Sequence, residues 1–249
     1  MGSLVWIGFI TFFIVSLLVG VRLLLLWRRT RQLPELLIGI GVLGIGPVGF
    51  GLPVASRLVA ESRPDLGAVL VGIGALAVAI AATAKLTFNW RVYHPQSRAV
   101  GVIPIAAAPL LLAAWLTEWA TGGFVPAGLV SPTTLIRTSL QIACLLWGSG
   151  EALRYWTMMR RRVRLGLADP VVTNRFLLWG IGAGAAGVGS FIGIAAQLAT
   201  GSATGQIPWV MTSSSVHGLV AAIALWFAFV PPGFYRRYIQ ARAPRSVVA

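Results

Sequence analysis

Seven apolar runs, approximately residues 4–27, 36–54, 66–88, 101–119, 135–157, 176–198 and 213–230, divide the chain and constrain everything else about it. Each is close to the length at which a helix rising about 1.5 Å per residue spans about 30 Å of hydrocarbon. Backbone N–H and C=O groups in lipid must be satisfied within their own segment, and the period-2 alternation of a barrel strand is missing, so the runs read as α-helices. The expected fold class is all-α: a polytopic membrane bundle of seven transmembrane helices in one domain over residues 1–249. With 57% hydrophobic and 10% charged residues, no sizeable soluble domain remains, because a soluble chain carries about a quarter charged residues. The single cysteine, Cys144, excludes disulfide scaffolds and cysteine-based zinc sites.

Cationic loops are retained on the cytoplasmic side, so the placement of Lys and Arg sets orientation. Fourteen of the 20 follow runs one, three, five and seven: Arg28, Arg29, Arg31, Arg91, Arg98, Arg160, Arg161, Arg162, Arg164, Arg175, Arg236, Arg237, Arg242 and Arg245. Arg57, Arg63 and Arg137 lie on the other side. The N-terminus is therefore expected outside and the basic tail, 235–249, inside. The net charge of +14 is then explained by topology and by attraction to anionic headgroups, with an acidic protein partner able to dock on the same face and no nucleic acid required. Trp27, Trp90, Trp156 and Trp179 fall at the inner boundary and Trp6, Trp119 and Trp209 near the outer one, where indole rings prefer to sit. Trp115, Trp147 and Trp226 lie deeper. The first run is too long for a signal-peptide core and is followed by Arg28 and Arg29, so it reads as a resident helix. Nineteen Arg against one Lys, with abundant Ala and Gly, points to a high-GC bacterium and hence its inner membrane.

A faint internal repeat runs through the chain. Leu36-Leu37-Ile38-Gly39-Ile40-Gly41 matches Leu177-Leu178-Trp179-Gly180-Ile181-Gly182, and Gly46 keeps register with Gly187. Arg22 with Arg28-Arg29 corresponds to Arg154 with Arg160-Arg161, and Trp90-Arg91-Val92-Tyr93 to Tyr235-Arg236-Arg237-Tyr238. Repeat A would cover 4–99, a linker helix 100–130 and repeat B 131–240. This 3+1+3 plan resembles the SWEET and PQ-loop transporters and, more loosely, the seven-helix rhodopsin-like proteins. The resemblance is one of architecture. PQ-loop proteins carry Pro-Gln in equivalent helices of both halves, whereas Pro95-Gln96 here follows run three. A retinal protein needs a lysine in its last helix, and residues 217–230 hold none.

Gly39-Ile40-Gly41-Val42-Leu43-Gly44 and Gly182-Ala183-Gly184-Ala185-Ala186-Gly187 both match the dinucleotide pattern G-x-G-x-x-G. They lie inside apolar spans, where no pyrophosphate is solvated, so close helix packing around Gly39, Gly41, Gly46, Gly180, Gly182 and Gly187, or a cleft for a flat ligand, is the better reading. Arg22, Lys85 and Glu151 each precede an interfacial Trp by five residues, which places them about 7–8 Å inside the inner boundary. With Arg154 they form a candidate intramembrane ion network. Glu151, the only acid, is expected to pair with Lys85 or Arg22, against the alternative that the long cations snorkel independently. Glu118, Gln197 and His217 mark the outer ends of runs four, six and seven and would line a polar mouth. His94, in a cytoplasmic loop, lies on the opposite side from His217, so the two cannot share a haem iron.

Two loops stand out. Ala199–Thr212 outside reads as an ordinary loop resting at the interface, with a lid folded back over the bundle as the alternative, and Arg160–Arg175 inside is expected to be the longest cytoplasmic connection, presenting Arg160, Arg161, Arg162 and Arg164 alongside Arg236 and Arg237. Ser213-Ser214-Ser215 reads as the cap that starts the last helix. Catalytic and metal-binding motifs are missing, and no cofactor or metal is implied. The functional expectation is a non-enzymatic receptor that binds a small apolar or lipid-like ligand and signals through its basic cytoplasmic face. The alternatives are a facilitative small-solute carrier and a structural subunit of a larger membrane complex.

Overall fold

The first helix, α1 (Ser3–Thr30), runs until Arg31 adopts a left-handed φ of 57° and donates its N–H to Trp27 O. The computed structural model describes residues 2–124 and 130–242. The helices that follow are α2 (Leu33–Leu43), α3 (Gly51–Val59), α4 (Pro64–Phe88), α5 (Arg98–Ala120), α6 (Pro132–Arg164), α7 (Pro170–Thr200), α8 (Pro208–Phe229) and α9 (Gly233–Ala241). Proline opens α4, α6, α7 and α8 at the first turn, where a missing N–H costs nothing. Among the described residues the chain is all-α, with no strand.

Among the described residues six helices are long and apolar enough to cross a membrane: Ser3–Thr30, Leu33–Val59, Pro64–Tyr93, Arg98–Ala120, Pro170–Thr200 and Pro208–Phe229. The fifth apolar run instead belongs to a 33-residue helix, α6, about 50 Å long and less apolar than the others. Its polar groups are turned to neighbouring helices: Arg137 to Glu118, Ser149 Oγ to Gly180 O at 2.7 Å, Glu151 to His94.

Six helices pack in a closed ring, α1 on α2, α2 on α4, α4 on α6, α6 on α7, α7 on α8 and α8 back on α1. Outside this ring α5 lies against α4 and α6. One end of the ring is filled by Val19, Leu23, Leu37, Ile38, Ala84, Phe88 and Tyr93, with Tyr155, Trp179 and Phe229 packed against them, so that α1, α2, α4, α6, α7 and α8 all contribute. A second cluster, including Ala82, Leu86, Leu111, Cys144 and Leu145, joins α4, α5 and α6.

Two π-helical segments interrupt the pattern. Gly44–Val48 separates α2 from α3, because Pro47 offers no N–H and pushes the backbone out of register. Asn89–Tyr93 ends α4. In contrast α7, which the sequence pattern matches to the broken α2–α3 helix, runs unbroken for 31 residues.

Several boundaries differ from the sequence expectation. The basic connection Arg160–Arg175 is mostly helix: α6 continues to Arg164, and Asp169 accepts from Val171 N and Val172 N to start α7, leaving only 165–169 between them. The serine triplet is not a cap. α8 begins at Pro208, and Ser215 Oγ, inside the helix, donates to Met211 O at 2.9 Å or to Val5 O of α1 at 3.2 Å. The connection between α7 and α8, 201–207, is correspondingly short, with Ala203 and Ile207 buried.

Candidate functional site

The residues with chemistry to offer gather where the π segment of α4 meets α6 and α7. An extra residue per turn in Asn89–Tyr93 shifts the end of α4 so that Asn89 and Tyr93 are both buried. Gly148 of α6 makes the approach possible: a Cβ there would stand 3.0 Å from Asn89 Oδ1 and 3.4 Å from Lys85 Cε. Asn89 is fully buried, and its Nδ2 donates to Cys144 O at 3.2 Å while Oδ1 has no hydrogen-bond partner among the described residues.

Lys85, 7% exposed, extends into the aromatic packing between α4 and α7. Its Nζ lies 4.6 Å from the centroid of Trp179 and 5.9 Å from that of Phe88, and those two rings stack at 5.1 Å. No carboxylate among the described residues lies within ion-pair distance of it. A cation–π contact in a desolvated site contributes about 2 kcal/mol, less than the several kcal/mol that burying an ion typically costs. Lys85 is thus held at a net cost.

Glu151 does not pair with Lys85 or with Arg22. Its Oε1 lies 2.7 Å from His94 Nε2 and accepts from Trp147 Nε1 at 3.4 Å, and Oε2 is 3.8 Å from Arg154 Nη1. The reason is geometric: the π segment swings His94 over α6, and the contact closes across 57 positions of sequence. Arg22 is exposed on α1 and makes no ion pair among the described residues. Of the four residues expected in one ion network, Glu151 and Arg154 meet, Lys85 is boxed by rings and Arg22 stands apart.

At the other end of the bundle Glu118, Gln197 and His217 do not converge. Glu118, 5% exposed, is taken by α6: Arg137 Nη2 lies 2.8 Å from Oε2, with Thr133 and Thr134 hydroxyls donating at 3.2 and 3.0 Å. Phe124 covers the Arg137 guanidinium at 5.5 Å. His217 turns back on its own helix, with Nδ1 2.7 Å from Ser213 O. Gln197 is half-buried on α7 and makes no side-chain hydrogen bond among the described residues.

The glycines divide by face. Gly39 and Gly46 of the second helix lie against Leu24 and Ser16 of α1, while Gly180 and Gly187 of α7 lie against Leu153 and Leu146 of α6. Gly41 and Gly182 make looser contacts, with nearest atoms 3.9 and 3.3 Å from a built Cβ. Arg160, Arg161, Arg162 and Arg164 on the last turns of α6 and Arg236 and Arg237 on α9 are all exposed. Among the described residues no three His, Cys, Asp or Glu side chains cluster closely enough to hold a metal ion.

Sequence reasoning missed His94, Asn89 and Arg137. Charge matching between neighbouring runs would have found the last, since Arg137 stands near the start of α6 and Glu118 near the end of α5. No protein-family model, no curated protein and no solved structure matches the chain.

Proposed function

We propose that this integral membrane protein crosses the bilayer seven times, amino terminus outside and basic end in the cytosol of a bacterium. In this reading it acts without catalysis, as a receptor for a small apolar or lipid-like ligand. α6 supplies the seventh crossing, with Ser149 bonded to Gly180 of α7, Arg137 paired with Glu118 of α5 and Glu151 paired with His94. The observation that carries the receptor reading is Lys85, an ammonium buried without a carboxylate, beside the unpartnered Asn89 Oδ1. A ligand with an apolar body and an acidic head relieves that charge, and the relief is felt in α4, α6 and α7 together. From there Glu151 and Arg154 lead along α6 to its arginine-rich end.

Thermal unfolding in mild detergent with oleate as probe tests this. Oleate should raise the Tm of the wild type and leave Lys85→Met unmoved. No shift in the wild type, or equal shifts in both, overturns the reading. Cysteine accessibility in spheroplasts tests the topology: Ser3→Cys should label from outside and Gln240→Cys only after permeabilisation.

A facilitative carrier is favoured by one observation, the pairing of helices. First-on-second and second-on-third contacts recur in each half, and the halves meet through α4 on α6 and α8 on α1. The broken second helix against the unbroken α7 argues against symmetric rocking. Saturable solute uptake by purified protein in liposomes would favour the carrier over the receptor.

A further inference from the structure

A groove of about 380 Å³ lies between α7, α8 and α9, lined by Leu178, Phe227, Phe234, Tyr235 and Tyr238. It exists because α9 folds back after Pro231-Pro232: Tyr235 packs at 4.7 Å on the Phe227 ring of α8, and Asn174 of α7 donates to the Tyr235 hydroxyl. At 100° per residue Phe234, Tyr235 and Tyr238 share one face of α9, while Arg236 and Arg237 point away. The groove face stays uncovered, with Phe234 62% and Tyr238 49% exposed.

Cations stand at both rims. Arg242 stacks over the Tyr238 ring at 4.4 Å, an arrangement that leaves the edge of a planar guanidinium able to donate to phosphate. Arg175, exposed and adjacent to Asn174, lies one helical turn before Leu178 on the other side. Residues 231–242 contain no acid, and Asp169 is engaged as the α7 cap.

We propose that this groove is a binding site for an anionic phospholipid, one acyl chain lying between α8 and α9 and the phosphate held by Arg175 and Arg242. The apolar lining favours lipid over an acidic peptide. Leu178 is eight residues into α7, about 12 Å from its cytosolic start, a depth a water-soluble segment reaches only by shedding its hydration. The proposal rests on the membrane reading alone and is independent of Lys85.

Purified protein equilibrated with equal amounts of phosphatidylglycerol and phosphatidylcholine, each with a diazirine in the acyl chain, tests it by native mass spectrometry and by mapping the crosslinked peptides. The wild type should retain phosphatidylglycerol preferentially and crosslink at peptides containing Phe227 and Phe234–Tyr238. Arg175→Gln and Arg242→Gln, both at exposed positions, should each reduce the preference about fivefold without changing helicity. Equal retention of the two lipids by the wild type, as a face built for an acidic peptide would give, overturns the proposal. So does a preference that survives both arginine changes, or crosslinking spread evenly over the lipid-facing helices.

Discussion

His94 Nε2 and Glu151 Oε1 meet at 2.7 Å, tying the segment after α4 to the middle of α6. The contact is partly exposed, 26% on the histidine side and 12% on the carboxylate side, so its worth is that of a screened, charge-assisted hydrogen bond. His94→Ala should cost about 1–2 kcal/mol, read as a Tm lower by several degrees in detergent. In a double-mutant cycle with Glu151→Gln, coupling of about 1 kcal/mol is expected. Strictly additive losses would mean that Glu151 is held by Trp147 and Arg154 instead.

Glu118 and Arg137 form a more buried pair, 5% and 12% exposed, with two threonine hydroxyls completing the carboxylate. Removing one partner strands the other in a dry site, at a cost of about 3–5 kcal/mol. Glu118→Leu should therefore unfold at markedly lower temperature, while Glu118→Leu with Arg137→Met should recover most of the loss. A double variant as unstable as the single one would show that the threonine contacts, rather than the ion pair, hold α5 to α6.

The all-helical class and six of the seven apolar runs, which appear as helices long and apolar enough to cross a membrane, were legible because hydropathy is a property of each segment on its own. Partners were not. Glu151 and Lys85 share a depth, yet one helical turn of π geometry at Asn89–Tyr93 puts His94 on the acid and turns the ammonium to Trp179. Nothing in the local pattern of residues 85–94 signals that shift. The connection Arg160–Arg175 reads as loop from composition, since arginines and Asp169-Pro170 interrupt the apolar run. Its helical ends come from α6 continuing to Arg164 and from the Asp169 cap that starts α7.

Two glycines of the same helix should respond oppositely to alanine. A Cβ on Gly46 would stand 2.6 Å from Ser16 Cβ, and Ser16 cannot yield, its hydroxyl being bound to Phe12 O at 2.6 Å. Gly46→Ala should destabilise by about 1–3 kcal/mol. At Gly41 the nearest atom is 3.9 Å away, so Gly41→Ala should be neutral or stabilise by up to about 1 kcal/mol. Paired thermal melts decide, and equal losses at both positions would remove the close α1–α2 approach.

Burial raises the Tyr235 hydroxyl above the ordinary phenol value, and the Asn174 hydrogen bond pulls it partly back. Below about pH 10 both folded and unfolded chains keep this phenol neutral, so the contribution to stability is complete there. As pH rises the unfolded chain ionises first, and the contribution is lost toward the higher value of the folded state. Alkaline difference spectra of wild type minus Tyr235→Phe should show a late-titrating tyrosine, later still in Asn174→Ala. A tyrosine titrating with the exposed ones would place α9 away from α7 and α8.

Lys85→Met keeps the length of the side chain and its contact with Trp179 while removing a charge that no carboxylate answers. The lost cation–π attraction, about 2 kcal/mol, is smaller than the several kcal/mol by which desolvation disfavours a buried ion. The variant should therefore melt a few degrees higher than the wild type. Lys85→Glu should melt lower, because its charge is equally desolvated and is repelled by the ring faces that attract a cation. A lower Tm for Lys85→Met would show that the ammonium stabilises the bundle through its rings, and would remove the argument that it is kept at a cost for a ligand.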